Sequence, residues 1–290
     1  MSELRHTTTD EPSSNPTSPL RLGASTFCLL FEPWQKAVDT LLAQGFRAIE
    51  LFGEAPQGHV TQLTPSDRRA LRALSRTCDL SYHAPTFELN VASSNPSSRA
   101  EAVRQYREAV YLVAEVDASR LVLHEGNMSY WKLDRRAARE AALESLTEVV
   151  GLARQIGVTV VLENTNYGKF AMYDTWQEWV GLADTLGAPG IRFTLDTGHA
   201  CLAGWDTPAL IRALAGRIAQ IHVHDSGGKA DDHLLPGQGV IDWPALALAL
   251  RESGCAATLI LESGPLASVQ ELTAGKMWLE QWLNGRQPGG

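Results

Sequence analysis

The sequence predicts an α/β protein that folds as a single (β/α)8 TIM barrel. Three observations support this prediction. Eight short apolar runs alternate with longer amphipathic segments, most of these runs lack the alternating pattern of half-exposed strands, and no long linker interrupts the series. The length of 290 residues also suits one barrel, since barrels commonly take roughly 250 residues.

The predicted strands recur at the spacing of a strand–helix repeat. They lie at 21–28, 46–52, 79–84, 119–124, 158–163, 191–196, 217–224 and 257–262. Apolar residues spaced three and four apart predict a helix over 135–156, and Pro33 and Gly45 bound another over 33–44. Eight such helices would complete the barrel. The alternative, an open doubly wound sheet, needs a glycine-rich loop after the first strand, and STFCLLFEPW there contains no glycine.

Residues 1–18 are expected to be a disordered tail, with the barrel spanning 19–290. The tail, MSELRHTTTDEPSSNPTS, is polar and lacks the apolar core of a signal peptide. The four cysteines are far apart, without a Cys-x-x-Cys pair, which is typical of reduced cytoplasmic thiols. No apolar stretch approaches the roughly 20 residues of a membrane span. We therefore expect a cytoplasmic protein without a membrane segment. The sequence leaves open whether it is a monomer or a homo-oligomer.

Ionisable side chains stand at the carboxyl ends of most predicted strands. In a parallel barrel these ends meet on one face, where the active sites of barrels lie. Imidazoles and carboxylates without cysteine form a ligand set for a divalent metal ion such as Zn²⁺, Mn²⁺ or Co²⁺. The set comprises Glu50, His83, His124, Glu163, Asp196, His199, His222, His224 and Glu262.

The segment IHVHDSGGKADDHLLPGQG (221–239) adds two ligand candidates to this face. Asp231 and His233 lie two residues apart in the loop after the seventh strand, and its glycines permit the turns that bring them back over the site. Each of these residues also has an explanation without a metal ion. A single histidine at a strand end is more often a hydrogen-bonded core residue than a ligand, and the loop aspartates could simply be solvated. Burying a carboxylate costs several kcal/mol unless it is paired or metal-bound, so the whole set favours a metal site.

Seven segments together resemble the xylose-isomerase-like barrel superfamily, which holds sugar isomerases and epimerases and also endonuclease IV. They are HAPTFELNVAS (83–93), LVLHEGN (121–127), VLENTNYG (161–168), FTLDTGHACLAG (193–204), IHVHDS (221–226), DDHLLPGQGVIDW (231–243) and LILES (259–263). Their order and spacing both match. The resemblance implies the barrel and a metal-binding face, which several chemistries share.

Two ligand arrangements follow from this resemblance. The epimerases imply a central metal ion on Glu163, Asp196, His222 and Glu262, with the two glutamates as paired acid and base groups. Endonuclease IV implies a three-metal site on His83, His124, Glu163, Asp196, His199, His222, Asp231, His233 and Glu262. One ion takes about six ligands at most, so this set implies one to three ions, or one ion with many supporting residues.

The loops depart from those of endonuclease IV. The loop between His222 and Asp231 is short, with Lys229 as its one basic residue, and the loops after the first two strands contain one lysine and no arginine. The stretch after His83 lacks a tyrosine that contacts DNA in the endonuclease. The formal net charge is −8. Because a DNA-binding face needs lysine or arginine for the phosphates, we expect a small-molecule sugar substrate and disfavour nucleic acid.

The favoured hypothesis is a sugar or sugar phosphate isomerase or epimerase that transfers a proton next to a carbonyl group. In it, Glu163, Glu262 and His199 are the catalytic residues. Substrate contacts are expected from Glu50, His224, Trp131 and Trp205. The main alternative is a metal-dependent phosphodiesterase like endonuclease IV. A dehydratase or lyase, which begins with the same proton abstraction, and a non-catalytic metal-binding protein are further alternatives.

Overall fold

The computed structural model describes residues 20–165, 168–187 and 191–286, which form a closed barrel of eight parallel strands. Each strand pairs with the next in the chain, and the last pairs with the first. The strands are β1 (Arg21–Ser25), β2 (Ala48–Phe52), β3 (Asp79–His83), β4 (Arg120–His124), β5 (Val160–Glu163), β6 (Arg192–Asp196), β7 (Ile218–Val223) and β8 (Thr258–Leu261). The predicted (β/α)8 barrel is confirmed. The predicted tail, residues 1–18, lies outside the described residues.

Helices follow the strands and surround the barrel. They are α1 (Trp34–Ala43), α2 (Pro65–Leu74), α3 (Pro96–Val116), α4 (Arg135–Ile156), α5 (Trp176–Thr185), α6 (Thr197–Leu202), α7 (Thr207–Leu214), α8 (Trp243–Ser253) and α9 (Val269–Leu283). The described residues thus contain nine helices, where the sequence predicts eight. The addition is α6, which is too short to show apolar periodicity.

The predicted first strand, 21–28, extends too far. The Ser25 hydroxyl accepts a hydrogen bond from the backbone N–H of Phe27 (3.3 Å) and begins a 3-10 turn over Thr26–Leu29. This turn directs Phe27 towards the carboxyl ends of the strands, where its ring lies 4.9 Å from that of Phe52. The end of the strand therefore contributes to the functional face.

Alternation along each strand decides which side chains enter the barrel. On β4, Leu121 and Leu123 belong to the main core beneath the helices, whereas Val122 belongs to a small separate cluster inside the barrel. The inward side is thus that of Arg120, Val122 and His124, as expected for a period of two. The last inward residue of a strand consequently faces the carboxyl-terminal mouth.

Strand register sorts the inward residues into layers. Phe52 is paired with His83 at the upper layer, whereas Glu50 is paired with Ser81 one layer deeper. Glu50 is predicted near the end of its strand, but β2 ends at Phe52, as the predicted strand 46–52 does, and Glu50 lies two residues before that end. Among the described helices, none is both long enough and apolar enough to span a membrane.

Candidate metal centre

A cavity of about 660 Å³ opens at the carboxyl ends of the strands. Its lining combines aromatic side chains with ligand-type groups: Phe27, Phe52, Phe87, His83, His124, Glu163, His199, Asp231, His233 and Glu262. A groove of about 750 Å³ between α8 and α9 is larger, but it is lined by tryptophans, prolines and arginines and lies away from these groups. The cavity in the barrel mouth is therefore the candidate site.

The central group of the site consists of four buried residues whose ligand atoms all lie within 4.8 Å of one another: Glu163, Asp196, His222 and Glu262. The Nδ1 atom of His222 lies 3.3 Å from Oε1 of Glu163, 3.3 Å from Oε2 of Glu262 and 3.8 Å from Oδ2 of Asp196. This nitrogen is buried and has no hydrogen-bond partner among the described residues. Three carboxylates therefore surround an imidazole nitrogen that has no hydrogen-bond partner in the described part of the chain. This is a set of ligands that a divalent cation would bind.

A second group shares Glu163 with the first. Oε2 of Glu163 lies 3.1 Å from Nε2 of His83 and 3.4 Å from Nε2 of His124. Both histidines end neighbouring strands, β3 and β4, so the barrel itself holds them side by side. Glu163 therefore faces two candidate ion positions. Its Oε1 faces the central group, and its Oε2 faces His83 and His124.

A third group lies at the rim of the cavity. Nε2 of His199 is 3.2 Å from Oδ2 of Asp231, and Nε2 of His233 is 3.4 Å from its Oδ1. His233 also forms a candidate group with His224 and Glu262. All nine ligand positions predicted from the resemblance are thus brought together on one face.

Asp196 connects β6 to the site and to α6. Its Oδ1 caps α6 by accepting a hydrogen bond from the backbone N–H of His199 (2.7 Å), which directs the His199 ring into the cavity. The side chain of Asn164 bonds the Asp196 backbone on both sides, at 3.0 Å to its carbonyl and 2.8 Å to its N–H. The carboxylate is therefore held from several directions at once.

His224 supports the same carboxylate from below. Its Nε2 lies 2.9 Å from Oδ2 of Asp196, and its ring stacks on that of His233 with centroids 4.0 Å apart. The sequence predicts substrate contact for His224. The structure places it fully buried, in contact with Asp196, and it does not line the cavity.

The loop after β7 is anchored by Asp225, which is not among the predicted site residues. This buried carboxylate accepts hydrogen bonds from the backbone N–H of Gly237 (2.9 Å) and Ile241 (3.2 Å) and from Nε1 of Trp243 (2.8 Å). A two-way backbone pairing with Leu234 closes the loop. The segment that carries Asp231 and His233 is thereby folded back over the site.

His233 takes an uncommon backbone conformation in this loop, with φ of 45°. A left-handed backbone conformation is unfavourable for any residue that has a β-carbon. It persists only where the surrounding structure imposes it. Nδ1 of His233 lies 2.8 Å from the backbone carbonyl of Glu262, which places the proton on Nδ1 and leaves Nε2 directed at Asp231. The strained residue is therefore oriented as a ligand.

The electrostatics of the site reflect several buried carboxylates and imidazoles in contact. Burial by itself would raise the pKa of Glu163, but the imidazoles of His222 and His124 lower it well below its ordinary value. Burial raises the pKa of Glu262, and the nearby Glu163 raises it further. Burial opposes charge on His83, yet the hydrogen bond and charge of Glu163 raise its pKa to about 9. Protons on the imidazoles thus supply the positive charge that the carboxylates require.

The other predicted substrate contacts are placed differently. Glu50 is fully buried in the barrel, beneath His222, and does not line the cavity. Trp205 packs on Trp179 and donates from Nε1 to the carbonyl of Asp174 (3.1 Å). Trp131 is 43% exposed in the loop after β4, also outside the cavity lining.

The wall of the cavity is formed instead by aromatic side chains that are not among the predicted site residues. Phe52 contacts Phe27, His83 and Phe87, with ring centroids between 4.9 and 5.8 Å apart. Glu125 is also buried near the site, hydrogen-bonded by Thr165 (2.8 Å), and burial raises its pKa to about 8. Each of these residues is the last residue of a strand or follows a strand end closely. Their position relative to the strand ends could therefore have predicted them.

Comparison with known proteins identifies the family. Residues 38–282 match the sequence model of the xylose isomerase-like TIM barrel family, and the chain belongs to this family. A relative named probable endonuclease 4, from Mycobacterium tuberculosis, is 31% identical over 221 residues, covering 73% of this chain and 83% of the relative.

Solved structures of the same fold include sugar epimerases. A D-tagatose 3-epimerase-like protein superposes with a TM-score of 0.81 at 22% identity, covering 91% of this chain and 97% of its own. The IolI protein with a bound zinc atom superposes with a TM-score of 0.77 at 16% identity, covering 93% of this chain and 100% of its own. At these identities the likeness concerns the fold.

Proposed function

We propose that this protein is a divalent-metal-dependent isomerase or epimerase that acts on a small, uncharged sugar by moving a proton next to a carbonyl group. One observation carries the proposal, namely the position of Glu163 and Glu262. Their carboxylates converge in the barrel mouth, with ligand atoms within 4.8 Å of each other and of the central group. Two carboxylates on opposite sides of one carbon atom are suited to remove a proton and to return one.

The metal ion would be held by the central group, Glu163, Asp196, His222 and Glu262. Three carboxylates and one imidazole, without a thiolate, suit Mn²⁺, Co²⁺ or Zn²⁺. The buried Nδ1 of His222, which lacks a hydrogen-bond partner among the described residues, fits an ion at this position. When bound, the ion polarises the carbonyl oxygen of the sugar and makes the neighbouring C–H bond more acidic.

Proton transfer would then fall to the two glutamates. Glu163 removes the proton from one face of the sugar carbon, and Glu262 returns a proton to the other face, which inverts that carbon. Return of a proton to the neighbouring carbon gives isomerisation instead. His199 would relay the proton. Its Nδ1 lies 3.6 Å from Oε1 of Glu163 and contacts the carbonyl oxygen of Asn164 at 3.0 Å, so the relay requires the ring to turn.

The lining of the cavity favours an uncharged sugar over a sugar phosphate. Among the described residues that line it, none is a lysine or an arginine. Phe27, Phe52 and Phe87 instead offer an aromatic wall, and such a face packs on the apolar C–H side of a sugar ring. The rim acids Glu88 and Asp232 would repel a phosphate that extends beyond the metal ion.

Phosphoester hydrolysis is the second candidate function, and a specific observation favours it. The nine ligand positions form overlapping groups around Glu163 and Glu262, enough for more than one ion. Clustered divalent ions stabilise the charge of a reacting phosphate and activate water. The 31% identity to a relative named probable endonuclease 4 supports the same alternative.

The test measures metal content and activity on the same preparations. Protein loaded with Mn²⁺, Co²⁺ or Zn²⁺ is assayed with a panel of free ketoses and their phosphates, and separately with an abasic DNA duplex and bis-p-nitrophenyl phosphate. We expect epimerisation or isomerisation of a free ketose, abolished in both Glu163→Gln and Glu262→Gln. Glu140→Gln, which alters an exposed carboxylate on α4, is the matched control and should retain full activity.

Two results would overturn the proposal. One is cleavage of the phosphodiester substrates with no turnover of any ketose, which would assign the second function. The other is full ketose turnover after removal of all metal. A preference for the phosphorylated ketoses would contradict the uncharged substrate while leaving the proton-transfer chemistry in place.

A further inference from the structure

Glu50 lies directly behind the central group, on the far side of His222. It is fully buried in the middle of β2 with its side chain inside the barrel. Its Oε1 lies 3.0 Å from Nε2 of His222, whereas Nδ1 of the same ring faces the central carboxylates. Its Oε2 accepts hydrogen bonds from Gln220 and from the Ser81 hydroxyl (3.3 Å). A buried carboxylate thus touches the one imidazole of the central group.

The orientation of the Gln220 amide is determined by Arg120. The guanidinium donates and cannot accept, so the Gln220 oxygen must face it, and the distance from Arg120 Nε to that oxygen is 2.8 Å. Arg120 is itself fixed by Asp79, at 2.8 Å, near the amino-terminal end of the barrel. The amide nitrogen of Gln220 therefore points upward, towards Glu50 and His222.

Nε2 of His222 consequently has two neighbours of opposite character. The amide nitrogen of Gln220, a donor, forms the hydrogen bond to Nε2 at 2.9 Å. Oε1 of Glu50, which can only accept when ionised, lies 3.0 Å from the same Nε2 and has no hydrogen-bond partner among the described residues. A neutral imidazole carries one proton, on either nitrogen. A partnership with Glu50 places that proton on Nε2 and leaves the lone pair of Nδ1 for a metal ion. A partnership with Gln220 alone places it on Nδ1 and blocks the ion.

We propose that Glu50 is a positioning residue that sets the tautomer of His222 for metal binding, against the opposing preference of Gln220. This inference rests on the metal-dependent function proposed above. A carboxylate that accepts the distal N–H of a metal-ligating histidine orients the ring and makes it a stronger ligand. The chain of contacts through Gln220 and Arg120 links this selection to the opposite end of the barrel.

The test compares two substitutions of similar size at neighbouring buried positions, Glu50→Met and Gln220→Met. Both remove a polar group that contacts Nε2 of His222 and insert the same side chain. We expect Glu50→Met to weaken Zn²⁺ and Mn²⁺ binding at the central group by roughly 10- to 100-fold. Gln220→Met removes the competing donor and should leave the affinity unchanged or higher. Glu50→Gln, which keeps an acceptor oxygen, should recover part of the loss.

The second measurement identifies the proton directly. In Zn²⁺-loaded protein with ¹⁵N-labelled histidine, the ring-nitrogen shifts of His222 should show a protonated Nε2 in the wild type and in Gln220→Met. Equal metal affinity in the wild type and Glu50→Met, or an equal loss in both methionine variants, would overturn the inference. If Glu50→Met does not fold, Glu50→Gln is compared with Gln220→Met, and a smaller loss of metal affinity in Glu50→Gln alone is expected. Failure of the wild type to bind any metal ion would instead overturn the proposed function itself.

Discussion

Gly198 lies directly against the imidazole of His224, and a β-carbon at position 198 would overlap the ring. The two residues are brought together because α6 begins at the end of β6, beside the end of β7. The same imidazole supports the carboxylate of Asp196 at 2.9 Å. The absence of a side chain at position 198 is therefore required by the position of His224 behind the candidate metal site, and not by the helix.

Gly198→Ala should displace His224 and with it Asp196. We expect a loss of at least tenfold in metal affinity and a destabilisation of about 1–3 kcal/mol, the usual range for overpacking. Gly181→Ala is the matched control, because a β-carbon there meets nothing within 4 Å. The control should gain about 0.5–1 kcal/mol, as expected when alanine replaces glycine within a helix. Calorimetric metal titration and denaturant unfolding measure both; an unchanged metal affinity in Gly198→Ala would contradict the account.

Metal loading at neutral pH should release protons from the imidazoles. Burial lowers the pKa of His83 and His233, but their acidic partners prevail and raise each to about 9 in the metal-free protein. These rings therefore hold protons at neutral pH, and an ion on Glu163 and Glu262 neutralises the carboxylate charge that retains them. The apparent metal affinity should rise with pH up to about 9. Titration calorimetry in two buffers of different ionisation enthalpy measures the proton release, and buffer-independent heats would contradict this prediction.

The raised pKa values of these histidines also predict how the stability of the metal-free protein depends on pH. A histidine whose pKa is higher in the folded than in the unfolded state stabilises the fold fully below its unfolded pKa, near 6.5. That contribution is lost as the pH rises towards about 9, the folded value for His83. The metal-free protein should thus lose stability between these values, whereas saturation with metal removes the dependence. Urea unfolding of both forms across this pH range tests the difference in slope.

Asp225→Asn should uncouple the loop after β7 from the barrel. The buried carboxylate accepts four hydrogen bonds, two on each oxygen, and the substitution replaces one oxygen with an amide nitrogen. Two donors then lose their acceptor, which costs about 1–3 kcal/mol. The loop carries Asp231 and His233, so ions that use the rim group should be lost before the central ion. Asp39→Asn, at an exposed position on α1, is the control. Elemental analysis and unfolding curves give the outcome; retention of every ion together with wild-type stability would refute it.

The arrangement of the site was largely predictable because a parallel barrel brings all its strand ends to one face. That rule alone predicts that His83, His124, Glu163 and Asp196 meet, and the structure brings them together. It does not distinguish layers. The predicted strand 46–52 ends where β2 ends, but Glu50 lies two residues before that end, so its side chain lies one layer below the mouth and outside the cavity.

Contacts between distant loops were beyond prediction. Asp225 follows a strand like the other candidates, but its partners, Gly237, Ile241 and Trp243, lie more than ten residues away along a loop without periodicity. The aromatic wall depends on the turn after β1, which the apolar run 21–28 conceals within a longer predicted strand. Local patterns predict which element a residue belongs to, and tertiary packing decides what it touches.

Exchange of solvent deuterium into a ketose tests the central claim most directly. The protein is loaded with Mn²⁺ or Co²⁺ in D₂O and incubated with the ketose that it converts, and NMR follows the carbon next to the carbonyl. The account predicts deuterium at that carbon of the product with the wild type, and no deuterated product with Glu163→Gln or Glu262→Gln. Conversion of the sugar without deuterium at that carbon, or equal incorporation in both variants, would contradict proton transfer between these two carboxylates.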